Sequence, residues 1–288
     1  MKIRIAHSPD SDDAFMFYGL ASGRVDSDGF ELEHVLADIE TLNRAACEGR
    51  YEITAVSFHA YAYLTDRYLL LPHGMSVGRG YGPVVVAPRA RDLSSLEGAR
   101  IGVPGLRTTA YLVLRLLLPR FEPVVVPISP YARAFEAVRA GQVDAVLLIH
   151  EGRLTYGREG FALVCDVGAA WSEATGGLPL PLGGNAIRRA LGAPLVAKVS
   201  RLCRASIAWA LEHRDEAMQA LLDRESRTDL ALDRTLLDRY LAMYANADTL
   251  DAPDDVRRAI DELYARAHAA GLLAEAPPPT WGAGFETA

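Results

Sequence analysis

Four short stretches carry residue types that can do acid–base or anion chemistry. His150-Glu151 follows the largely apolar segment Val143 to Ile149. An imidazole where a buried strand emerges is a candidate neutral general base, because its ordinary pKa of about 6.5 sits close to neutral pH. The plain alternative is a structural histidine, or one paired with Glu151. Gly105-Leu106-Arg107-Thr108-Thr109 sets a glycine turn before two hydroxyl residues at a helix start. Unbonded N–H groups and the positive dipole end suit a carboxylate or phosphate there; Thr108 is equally the N-cap that such a helix needs. The turn Ser8-Pro9-Asp10-Ser11-Asp12-Asp13 gathers three acids. These can bond sugar hydroxyls or a metal, or can simply cap a helix and complement its dipole. Ser57 closes the strand-like Ile53 to Val56. Arg79, between Gly78 and Gly80, can reach a ligand carboxylate or lie in an exposed loop. Trp171 and Leu178 to Leu182 can wall an aromatic ligand or merely pack.

Each of the four stretches follows a predicted strand, which is where open α/β sheets bind ligands. Alternation and apolar runs predict strands at Lys2 to His7, Leu32 to Leu36, Ile53 to Val56, Leu69 to Leu71, Pro83 to Val86, Arg100 to Val103, Pro123 to Val126 and Val143 to Ile149. Helical periods or stops fall between most of them, at Asp12 to Ala21, Asp38 to Glu48, Phe58 to Leu64, Leu93 to Glu97, Thr108 to Leu118 and Tyr131 to Ala140. Strands spaced by helices imply parallel βαβ crossovers and an α/β class. Trp171 to Gly184, rich in Gly and Pro, reads as neither regular helix nor central strand. Beyond Pro194 the pattern is helical at Val196 to His213, Asp215 to Asp223, Asp233 to Ala245 and Pro253 to Ala270. Extended crossings near Val84 to Ala87 and Leu182 to Ile187 bracket a middle block. The economical arrangement is a two-lobed clamshell, with residues 1–86 and 184–288 in one lobe, 87–183 in the other, and two hinge strands between them.

Length and composition agree. The chain has 288 residues, enough for about two domains, and its 30 basic against 37 acidic residues give a net charge of −7. No basic cluster interleaves with aromatics, so a nucleic-acid partner is not expected. Apolar runs are too short for a membrane span, and Met1 to His7 lacks the apolar core of a secretory signal, so the expectation is a cytoplasmic protein. The three cysteines (Cys47, Cys165, Cys203) and the histidines other than His150 (His7, His34, His59, His73, His213, His268) show no metal spacing. No metal and no organic cofactor is expected.

Taken together, Ser8-Pro9 with Asp13 and Phe15 to Phe17, Asp38 to Asn43, Ser57 with Ala60-Tyr61-Ala62, Gly78 to Pro83, Pro104-Gly105 with Thr108 to Tyr111, Ile149-His150-Glu151 with Arg153 and Thr155-Tyr156, and Leu178 to Gly183 resemble the 1,4-dihydroxy-6-naphthoate synthase family of the futalosine route to menaquinone. The resemblance is collinear from residue 3 to about 187 and looser beyond. It implies a periplasmic-binding-protein-like type II fold, with His150 as proton acceptor and Ala55, Val56, Ser57, Thr108 and Thr109 as contacts to a small carboxylate substrate. Ser8, Asp13 and Arg79 are expected to join them. The implied reaction is a cofactor-free lyase step that opens cyclic dehypoxanthinylated futalosine and releases the naphthoate. Chorismate dehydratase, of the same pathway and fold, and a non-catalytic solute-binding protein are the competing readings. The family's first turn commonly reads Ser-Pro-Cys-Pro-Asn-Asp-Thr-Phe, so Asp10, Ser11, Asp12 and Ala14 depart from it.

Overall fold

The computed structural model describes residues 1–128, 130–223 and 233–282. The chain begins with β1 (Lys2–His7), α1 (Ser11–Ala21), β2 (Glu31–Leu36), α2 (Ile39–Cys47), β3 (Ile53–Ser57), α3 (Phe58–Tyr61), β4 (Tyr68–Leu70) and β5 (Ser76–Gly78). It continues through β6 (Val84–Ala87), β7 (Arg100–Val103), α4 (Thr109–Leu117), β8 (Glu122–Val125), α5 (Ala132–Arg139), β9 (Ala145–Leu148), α6 (Gly152–Thr155), β10 (Ala162–Asp166) and α7 (Val167–Ala174). It ends with β11 (Leu180–Arg188), α8 (Ala193–Glu212), α9 (Arg214–Asp223), α10 (Arg234–Tyr244), α11 (Ala247–Leu250) and α12 (Asp254–Ala269). Local chemistry sets several boundaries. Asp38 caps α2 by accepting the Thr41 N–H, and Gly271, at φ 68°, takes the left-handed position after α12.

Two mixed sheets form a two-lobed clamshell. One has the order β2-β1-β3-β11-β4, with β5 also on β11; the other has the order β10-β6-β9-β7-β8. The expected parallel pairs are present: β1 lies between β2 and β3, and β7 between β8 and β9. The sheets are mixed at the returns, where β6 runs antiparallel to β9 and β10, and β11 antiparallel to β3, β4 and β5. Both expected hinge strands are sheet strands. Val84–Ala87 belongs wholly to the second sheet and Leu180–Arg188 to the first, so the chain changes sheet at 79–83 and 175–179, a few residues before positions 86 and 184.

The Pro-rich segment is also corrected, since β11 is a central strand and Trp171 lies in α7. Pro181 is tolerated because it sits where only β5 pairs with β11: pairing with β3 starts at Gly183, and the register shifts between Pro181 and Gly183. The halves share one apolar cluster in which Val56, Phe58 and Tyr61 join Val85, Val113 and Leu147. A second cluster packs Met16 and Phe17 of α1 against Val199, Cys203 and Ile207 of α8, fixing the helix that carries the acidic turn.

Candidate active site

Between the two sheets lies a cavity of about 690 Å³, counting its open mouth. That volume is within the range of small-molecule sites. It is lined from the ends of β1, β3 and β9, the start of α4, the glycines of β11, and α10. Ser8, Asp13, Ala55, Val56, Ser57, Thr108, Thr109 and His150 all line it.

His150 is the residue immediately beyond Ile149 at the end of β9, and its φ of 50° is one of two positive values among the described non-glycine residues. Such a conformation is uncommon for a residue with a side chain and concentrates at functional sites. The bend brings the imidazole against groups from the other half. His150 Nε2 lies 3.3 Å from Asp10 Oδ2, and Nδ1 lies 3.4 Å from the Tyr240 hydroxyl. The Tyr240 hydroxyl also donates to Asp12 Oδ1 at 3.1 Å. Next to His150, the fully buried Glu151 Oε1 accepts the Ser11 N–H at 3.0 Å and the Ser11 hydroxyl at 2.6 Å, joining the halves directly.

The acidic turn is not a set of caps. Asp10 stands at the N-cap of α1 without a side-chain capping bond, and Asp12 and Asp13 turn inward to the cavity. Burial, reinforced by the neighbouring Asp13 charge, raises the Asp12 carboxyl above the ordinary carboxylate range. Burial raises Asp13 too, opposed by the Ser8 N–H that donates to its Oδ2 at 2.7 Å. Among the described residues no three His, Cys, Asp or Glu side chains are grouped as metal ligands would be.

At the start of α4, Thr108 is indeed the cap: its Oγ1 accepts the Tyr111 N–H at 3.3 Å and donates to Gly105 O at 2.8 Å. Thr109 Oγ1 accepts the His59 N–H at 3.1 Å and donates to Leu182 O at 2.6 Å. Both hydroxyl protons are therefore committed to carbonyls. What this helix start can offer an anion is backbone N–H and dipole, at Thr109 and Ala110 on the cavity wall. Ser57 differs. Asn43 accepts its N–H at 2.9 Å and donates to its Oγ at 3.1 Å, an arrangement that leaves the Ser57 hydroxyl proton for the cavity. Beneath it, burial lowers His59 to about 4, so this imidazole is neutral at pH 7 and serves packing.

Arg79 is corrected. Its guanidinium donates to Asp248 at 2.7 and 2.8 Å and to Asp255 at 2.7 and 3.2 Å, and it is not among the cavity residues. Two carboxylates from the C-terminal helices hold it where a substrate carboxylate was expected. Sequence reasoning missed Tyr240 and Tyr244, which line the cavity from α10. Their i, i+4 spacing puts both rings on one helical face, but nothing local says which face meets the cleft. Gly74 was missed as well; at φ 81° it wedges beside Asn185, where a Cβ would lie 2.0 Å from Nδ2.

The chain matches a protein family described as menaquinone biosynthesis over residues 3–269. It is 44% identical over 277 residues to 1,4-dihydroxy-6-naphthoate synthase of Thermus thermophilus, covering 96% of this chain and 98% of that one. It is 36% identical over 274 residues to the enzyme of the same name from Streptomyces coelicolor, covering 94% of each. A solved structure from Archaeoglobus fulgidus superposes with a TM-score of 0.87 at 48% identity, over 94% of this chain and 98% of that chain. The alkanesulfonate-binding protein SsuA of Xanthomonas axonopodis superposes with a TM-score of 0.73 at 16% identity over 98% of each, which shows a shared periplasmic-binding-protein-like fold alone. By sequence over nearly its whole length and by fold, the chain belongs to the menaquinone-biosynthesis family that includes the 1,4-dihydroxy-6-naphthoate synthases.

Proposed function

We propose that this chain is a carbon–carbon lyase that converts cyclic dehypoxanthinylated futalosine to 1,4-dihydroxy-6-naphthoate, with His150 as general base. The observation that carries the reading is His150 itself: an imidazole on the cavity wall, set on a left-handed backbone residue, between acids and a phenol of the facing half. In this reading the substrate carboxylate rests on the Thr109 and Ala110 N–H groups at the start of α4, with the Ser57 hydroxyl beside it. The sugar-derived part lies toward Asp12, Asp13 and Ser8.

His150 takes a hydroxyl proton from the substrate. The adjacent C–C bond then breaks, and its electron pair moves into the ring carbonyl as the ring becomes aromatic. The proton passes from the imidazolium to the new ring oxygen, so base and substrate end in balance. The contacts across the cleft, Ser11 to Glu151 and Thr109 to Leu182, close the halves around this chemistry and keep water from the intermediate. Loss of a positioned base costs on the order of 10²–10⁴ in rate. We expect His150→Ala to show that loss with its fold intact by circular dichroism, and near-normal turnover would remove His150 from the mechanism.

A further inference from the structure

We propose that Tyr240 and Asp12 are positioning residues that set the tautomer of His150, holding the proton on Nδ1 and leaving Nε2 as the basic nitrogen. The proposal rests on the reading of His150 as base. It also gives a role to the side-chain oxygen at position 12, an acceptor that the family's usual asparagine offers as well.

A phenol carries a single O–H, and the buried Tyr240 hydroxyl donates it to Asp12 Oδ1 at 3.1 Å. Toward His150 Nδ1, 3.4 Å away, the phenol oxygen can then act only as acceptor, so Nδ1 must be the donor. A neutral imidazole carries one N–H, and Nε2 is left with its lone pair. Nε2 is buried and has no hydrogen-bond partner. The nearby Asp10 Oδ2 at 3.3 Å stands outside hydrogen-bond geometry yet close enough to favour the imidazolium once Nε2 has taken a proton. Asp10, Asp13 and Glu151 surround Asp12 with like charge, while His150 opposes them. A protonated Asp12 can drive the same chain in reverse, so the assignment applies to the ionised acid and is read at about pH 8.5.

The structure holds this chain on three separate elements: α1 supplies Asp12, α10 supplies Tyr240, and the end of β9 supplies His150. None of these residues is adjacent in sequence: α1 and α10 meet within one half, and the end of β9 reaches them from the other.

The test is two-bond ¹H–¹⁵N correlation NMR on protein labelled at histidine, with the His150 signals assigned by their loss in His150→Gln. The wild type should show the Nδ1–H tautomer at His150. Asp12→Asn, which still offers an Oδ1 acceptor to the phenol, should keep it. Tyr240→Phe, which removes one oxygen and no packing, should shift the imidazole mostly to the Nε2–H tautomer, and its kcat should fall on the order of tenfold with KM little changed, because only about a tenth of the imidazole then presents a basic Nε2. An Nε2–H tautomer in the wild type, or an unchanged spectrum in Tyr240→Phe, would overturn the proposal. The readout is separate from turnover: if His150→Gln retained full activity the base reading would fall, whereas the tautomer alone judges the positioning claim.

Discussion

Replacing Asp12 by Asn should stabilise the protein, and the gain should grow with pH. Asp12 is buried beside Asp13, and burial followed by Asp13 repulsion pushes its carboxyl up to about 7 from 3.8. Asp13 accepts the Ser8 N–H, which favours its charge, so the retained proton is assigned to Asp12. A carboxyl whose folded pKa is raised makes the folded state bind a proton that the unfolded chain has already released. Stability is therefore lost as pH rises from the unfolded pKa toward the folded one, and the loss is complete above it. From about pH 5 to about pH 8 the window spans roughly two pKa units, or about 3 kcal/mol at about 1.4 kcal/mol per unit. The amide cannot titrate. Urea unfolding of both proteins at the two pH values gives a variant-minus-wild-type difference from which carboxylates remote from the turn cancel, while relief of Asp13 from the Asp12 charge adds to the gain at high pH. That difference should rise by up to about 3 kcal/mol between them. A difference that stays flat, or that grows toward acid, would refute the assignment of a buried proton to this turn.

Three further outcomes follow from contacts already described. Gly74→Ala places a Cβ 2.0 Å from Asn185 Nδ2 at a φ of 81°, and should cost about 1–3 kcal/mol, read as a lowered Tm. Ser11→Ala removes one of the two donors to the buried Glu151 Oε1; stability should fall by about 1–3 kcal/mol, and small-angle scattering should show a more open particle. Arg79→Ala should leave kcat/KM within about twofold while lowering Tm slightly, since the two acids it binds are partly exposed; a tenfold rise in KM would return Arg79 to the substrate site.

Much of the fold was legible because each signal was local. The strands β1, β3, β7 and β9 announce themselves as apolar runs closed by polar turns, and ligand-facing residues follow parallel strands, which makes Ser57, Thr108 and His150 legible as cavity residues. The failures share a different physics. Pro181 looked incompatible with a central strand because propensity cannot say that only β5 pairs with β11 at that point. Arg79 looked like a carboxylate receptor because its partners, Asp248 and Asp255, lie about 170 residues away. Tyr240 and Glu151 gained their roles from pairing across the cleft, which no window of sequence contains. Asp10 to Asp13 show the limit within a single motif: acids at a helix start fit the dipole equally well whether they face water or a cavity, and only the tertiary fold turns Asp12 and Asp13 inward.

The central claim is that this cavity performs the lyase step. The most direct measurement is incubation of the purified chain with cyclic dehypoxanthinylated futalosine, with mass-spectrometric detection of product over time. The account predicts that 1,4-dihydroxy-6-naphthoate accumulates over many turnovers with wild-type protein, and that His150→Ala slows it by on the order of 10²–10⁴. Substrate recovered bound but unchanged would contradict the account and make this clamshell a binding protein.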